Sequence, residues 1–165
     1  MGIIGSFEGY VSSPIYLFNN GIWSNLQTTG ISPIEDPALI AVEENSAGYL
    51  LFRKANSNNS TPSVVTSSAR LNQAVNLIAY NYLNIKISQL LTNVVNSPQI
   101  MIGVSTSSTA VSYALSSYIT SSGVAVLNIQ SLSGVYFIYL KLSVSGVYAG
   151  SPGSHIAEIT QIFLS

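Results

Sequence analysis

Leu83-Asn84-Ile85-Lys86-Ile87-Ser88 alternates apolar and polar residues without a break. Successive side chains of a strand point to opposite faces, so this stretch reads as a half-buried β-strand with Leu83, Ile85 and Ile87 on the core side. Residues 135–144 repeat the pattern: Tyr136, Ile138, Leu140, Leu142 and Val144 share one face, while the other begins aromatic at Phe137 and Tyr139 and ends wet at Lys141 and Ser143. Just upstream, Ala125, Leu127 and Ile129 alternate with Val126, Asn128 and Gln130. Ser131-Leu132-Ser133-Gly134 joins the two as a turn, with Gly134 free to adopt a positive φ.

Working outward, residues 15–18, 49–54, 63–67, 100–105, 112–120 and 156–164 are short runs rich in Val, Ile, Tyr or Thr, bounded by Gly, Pro, Asn or Ser. About ten such strands with no 3.6-residue periodicity predict an all-β protein, a sandwich or a barrel. One helical reading is available, one or two turns over residues 36–44 with Asp36 as cap and Pro37 in the first turn. The polar stretches 55–62 and 147–154 are too short to divide the chain, so residues 1–165 are read as one domain.

The 17.5 kDa chain is 7% charged, against about 25% in ordinary soluble domains. Ser, Asn and Thr, at 28, 14 and 9 residues, take the place of charge on the surface. A net charge of −1 leaves no basic face for nucleic acid. Mean hydropathy is +0.41, yet the longest uninterrupted apolar run, residues 135–140, is far short of the ~20 residues of a membrane span. The first residues lack a basic region and carry Glu8, so no secretory signal is read, and synthesis in a cytoplasm without export is expected.

Catalytic chemistry finds few residues to work with. There is no Cys, and the single His155, placed just before the last predicted strand, reads as a loop histidine. No Gly-x-Ser-x-Gly elbow and no phosphate-binding glycine loop is present. Glu35, Asp36, Glu43 and Glu44 offer oxygen ligands for calcium but without EF-hand spacing, and read first as a solvated acidic loop offsetting Arg53 and Lys54. Glu8 and Glu158 are the remaining acids, too few for a glycosidase pair to be favoured. The expectation is a protein that is not an enzyme and needs no cofactor. Sugar binding suits the composition better, because aromatic rings offer apolar platforms and amides and hydroxyls bond the edges of a sugar. Trp23 stands in a loop among Asn19, Asn20 and Asn25; Tyr113 and Tyr118 lie in a Ser-rich strand; Tyr148 lies in a Gly-rich loop. Trp23, Asn25, Tyr113, Tyr118 and Tyr148 are therefore the candidate carbohydrate-binding residues, and the plainer alternative for each ring is a core or a subunit interface.

Tyr16-Leu17-Phe18-Asn19-Asn20-Gly21 followed by Thr28-Thr29-Gly30 resembles the opening of small structural proteins of bacteriophages and prophages of Gram-positive hosts, with Ile31 where those have a second glycine and the Trp earlier, at 23. Residues 75–85 resemble a later segment of that family, with Asn76 in place of an aspartate, and residues 127–138 and 156–164 resemble its closing strands. The matches touch about half the chain. The resemblance implies an antiparallel β-sandwich of the jelly-roll type and a non-enzymatic tail, baseplate or receptor-binding component of a virion, made in the bacterial host cytoplasm. It further implies a homo-oligomer, with three copies the number it suggests, contacts with other virion proteins, and adhesion to a host-surface glycan. The aromatic pair Phe137 and Tyr139 would suit a symmetric subunit contact. The alternative is a carbohydrate-binding module outside any virion.

Overall fold

The computed structural model describes residues 13–28, 30–34, 40–44, 48–55, 63–91, 98–109, 112–147 and 154–165. Thirteen strands occur among them: β1 (Ile15–Asn19), β2 (Ile22–Trp23), β3 (Ile31–Pro33), β4 (Ile40–Glu44), β5 (Leu50–Ala55), β6 (Ser63–Leu71) and β7 (Val75–Asn76), then β8 (Tyr82–Leu91), β9 (Gln99–Ser105), β10 (Leu115–Ile119), β11 (Gly123–Asn128), β12 (Val135–Val147) and β13 (Ser154–Leu164). No helix is found among the described residues. The helical reading of residues 36–44 is corrected for its second half, where Ile40 to Glu44 pair antiparallel with Leu50 to Lys54. The β-branched Ile40 and Val42, two apart, suit an extended chain, and pairing to β5 outweighs a one-turn helix. Residues 36–39 lie outside the described residues.

Among the described residues all pairings are antiparallel and fall into two sheets. In the first, β8 lies between β11 and β13, and the other edge of β13 is shared by β5, along Ser154 to Ile159, and by β1, along Gln161 to Leu164. The second runs β10-β9-β12-β6-β3, with the short β7 beside the start of β12. From β5 onward, setting β7 aside, the chain places strands in the order first, second, first, second, second, first, second, first sheet. The resulting quartets β5-β13-β8-β11 and β6-β12-β9-β10 are two interleaved Greek keys, so the sandwich is a jelly roll.

Alternation fixes the core. Leu83, Ile85 and Ile87 of the first sheet and Ile138, Leu140 and Leu142 of the second all belong to one buried core, as their period predicts. Two irregularities interrupt the pattern. Leu17 and Phe18 are consecutive and both fully buried because β1 slips its register on β13 between Tyr16 and Phe18. On β13, Ile159 and Ile162 both reach the core at a spacing of three because the register shifts twice between Glu158 and Gln161. Each bulge turns the strand and re-aims the following side chains.

The β1–β2 hairpin turns on Asn20 and Gly21, with φ of 46° and 89°, the two positive angles of a type I′ turn. A Cβ on Gly21 would sit 3.0 Å from the Cα of Gly48, so two glycines are what let the turn and the start of β5 approach. Trp23, expected in a loop, is instead the second residue of β2, and His155, expected just before the last strand, lies within β13. Gly134, as expected, takes a positive φ of 113° at the turn before β12.

Candidate functional site

The sandwich has two outer faces, and they are finished differently. On the second sheet the outward residues of β9 and β12 include Met101, Gly103, Phe137 and Tyr139. Tyr139 is fully buried nonetheless, because the connection between β9 and β10 folds back across it. Its hydroxyl donates to the Ser107 carbonyl at 2.5 Å, and the Tyr113 ring packs edge-on against it with centroids 5.3 Å apart. Gly103 makes room for that ring, since a Cβ there would lie 2.9 Å from it. Arg70, on β6 opposite Tyr139, lies over the Phe137 ring at 4.8 Å and donates through Nη1 to the Ser108 carbonyl at 2.6 Å. The turn itself is closed by hydroxyls, with Ser105 Oγ accepting from the Ser107 amide and Ser107 Oγ from the Thr109 amide. A subunit contact through Tyr139 is therefore corrected: the protein's own loop covers it. Tyr113, expected within a strand, lies two residues before β10 and serves this cover.

On the first sheet no comparable cover is found among the described residues. Tyr16 on β1 and Phe163 on β13 are directly opposed and their half-buried rings pack at 5.4 Å with a 42° tilt. Asn84 continues that row on β8, buried beside Phe163, and donates to Ser165 Oγ at 3.1 Å. In the next row Asn19 and Gln161 are opposed, and Gln161 Nε2 donates to Asn19 Oδ1 at 2.9 Å. Asn20 Nδ2 donates to the same oxygen at 3.0 Å. Lys86 follows in that row, and one step further Ser88 donates to a Glu158 carboxylate oxygen at 3.2 Å. Val124 and Val126 on β11 close the face, 56% and 51% exposed. A ring platform bordered by amides, one ammonium and one carboxylate can hold a polar ligand that has an apolar face. Among the described residues no three His, Cys, Asp or Glu side chains come together as metal ligands.

The sequence candidates do not gather at one place. Trp23 packs at a tilt against the core residue Phe18, ring centroids 4.8 Å apart, and joins the rim of the hydrophobic core, while Asn25 is exposed in the turn that follows. Tyr113 and Tyr118 belong to the other sheet, and Tyr118, 60% exposed, points out beside Met101. Tyr148, Glu35 and Asp36 lie outside the described residues, as do the side chains of Glu43 and Glu44. The Tyr16–Phe163 platform was not among the candidates. Its signal was faint: each is an ordinary strand aromatic, and only the pairing of the first described strand with the last brings them together.

No family model matches the chain, and no curated protein matches it. Among solved structures it is similar to the carbohydrate-binding module TmCBM61, solved in complex with β-1,4-galactotriose, at a TM-score of 0.44 and 14% identity over 82% of this chain and 86% of that one.

Proposed function

We propose that this jelly roll is a non-catalytic glycan-binding module whose ligand lies on the outer face of the first sheet, over Tyr16 and Phe163. The observation that carries the reading is the ring pair itself, held solvent-side on a sheet whose next row is amide, beside the hydrogen-bonded Asn19 and Gln161. Half-buried rings present one face, and a pyranose can lay its C–H face there while its hydroxyls meet the amide edges. The amides already hold one another, so little side-chain freedom is lost on binding. The setting inside a phage particle rests on the strand-and-turn resemblance alone, and a jelly roll suits a tail appendage and a free module alike.

Calorimetry against oligosaccharides chosen from a glycan array tests it. Tyr16→Ala and Phe163→Ala are each expected to weaken binding about tenfold or more, ~1.4 kcal/mol, with the circular dichroism of a folded sheet retained. Gln161→Ala should weaken it less. An array with no bound glycan, or full affinity in both ring variants, overturns the assignment.

A further inference from the structure

From Ile87 to Leu140 the chain contains no Asp, Glu, Lys, Arg or His. That span builds β9, β10 and β11, hence one whole side of the sandwich, and β11 and β10 are the outermost strands there in their respective sheets. Edge strands expose unpaired backbone donors and acceptors, and proteins ordinarily guard them with charges, proline, bulges or shortness. β11 has none of these guards. Its residues, Gly-Val-Ala-Val-Leu-Asn, hold no charge and no proline, and all six pair with β8 without a register shift. Among the described residues β11 pairs with β8 alone.

We infer that β11 is the docking edge for a second copy of this chain, joined antiparallel about a twofold axis through Ala125 so that two first sheets become one continuous sheet. The occupant follows from the sequence of the edge. The edge strand offers a charged partner no counter-charge of its own, the nearest charge being Lys86 one strand in beside Val124, whereas a second copy brings an equally uncharged edge and meets no like-charge pair directly opposite. The side chains are also complementary to themselves in that register. Val124 lies opposite Val126 of the second copy on the outer face, so four half-exposed valines cover one another. On the inner face Ala125 meets its own copy, and Leu127 meets Gly123, the largest residue facing the one with no side chain. A twofold perpendicular to the sheet keeps both outer faces on the same side, so two Tyr16–Phe163 platforms would be displayed together. The dimer does not depend on the glycan reading, because it rests on the edge alone.

Size-exclusion chromatography with light scattering on the full chain at micromolar concentration tests it. The wild type is expected at twice the 17.5 kDa chain mass, and Val126→Lys, a lysine on the solvent side of the edge, at the chain mass with an unchanged circular dichroism spectrum. A monomeric or trimeric wild type, or a Val126→Lys protein that stays dimeric, overturns the inference. Because the chain has no cysteine, Ala125→Cys supplies a readout that survives any folding failure of the lysine variant. Opposed Cα atoms in an antiparallel pair lie ~4.5–5.5 Å apart, within disulfide range. Mild oxidation should link that variant to a covalent dimer, and its absence would count equally against the edge.

Discussion

The two outer faces of the sandwich carry nearly the same kinds of residue, aromatic, hydroxyl and amide with few charges, and use them in opposite ways. On the second sheet the protein supplies its own ligand: backbone carbonyls of Ser107 and Ser108 accept from Tyr139 and Arg70, and Tyr113 fills the space over Gly103. On the first sheet the rings of Tyr16 and Phe163 touch each other, and among the described residues no loop is bonded across them. What separates a structural aromatic from a candidate binding aromatic is thus whether the next loop returns over it.

The largest expected effect tests that separation directly. Tyr139→Ala removes a fully buried ring together with its hydrogen bond, and truncating a buried aromatic costs about 3–5 kcal/mol. Phe163→Ala removes a half-buried ring, and with less apolar surface returned to water it should cost about 1–2 kcal/mol. Urea unfolding of the two variants makes the comparison, and equal losses would mean that the faces are not finished differently. Tyr139→Phe refines it by leaving the ring and removing the donor. The loss should be about 0.5–1.5 kcal/mol, the usual net value of one hydrogen bond, with faster proteolysis between residues 105 and 114 where the loop is held.

Much of the fold was legible for a simple reason: a period of two survives wherever a strand runs straight. Residues 83–88 and 135–144 were read correctly because nothing interrupts them. Leu17–Phe18 and Ile159–Ile162 were harder, because a bulge moves two apolar residues to the same side and the alternation is lost. The order of strands within each sheet depends on contacts between distant segments, and the jelly roll came from resemblance rather than from periodicity. The platform was hidden for the same reason, since Tyr16 and Phe163 lie at opposite ends of the chain. Tyr139 misled because alternation places it outward correctly but says nothing of a loop folding back. Gly103, a glycine between Ile102 and Val104 inside a strand, was the one local sign that something packs closely there.

The smallest expected effect lies at the margin of the covered face. Tyr118 points to the same side as Met101 and Gly103, yet β10 is the last strand of its sheet and the loop held by Arg70 and Tyr139 does not bury it; the ring is 60% exposed. Tyr118→Ser should therefore change stability by less than about 0.5 kcal/mol, as at other exposed positions without a partner network. The same substitution should leave glycan affinity unchanged, since Tyr118 and the Tyr16–Phe163 pair belong to opposite sheets. A weakened glycan affinity in Tyr118→Ser, with Phe163→Ala binding normally, would transfer the site to the second sheet and reverse the roles of the two faces.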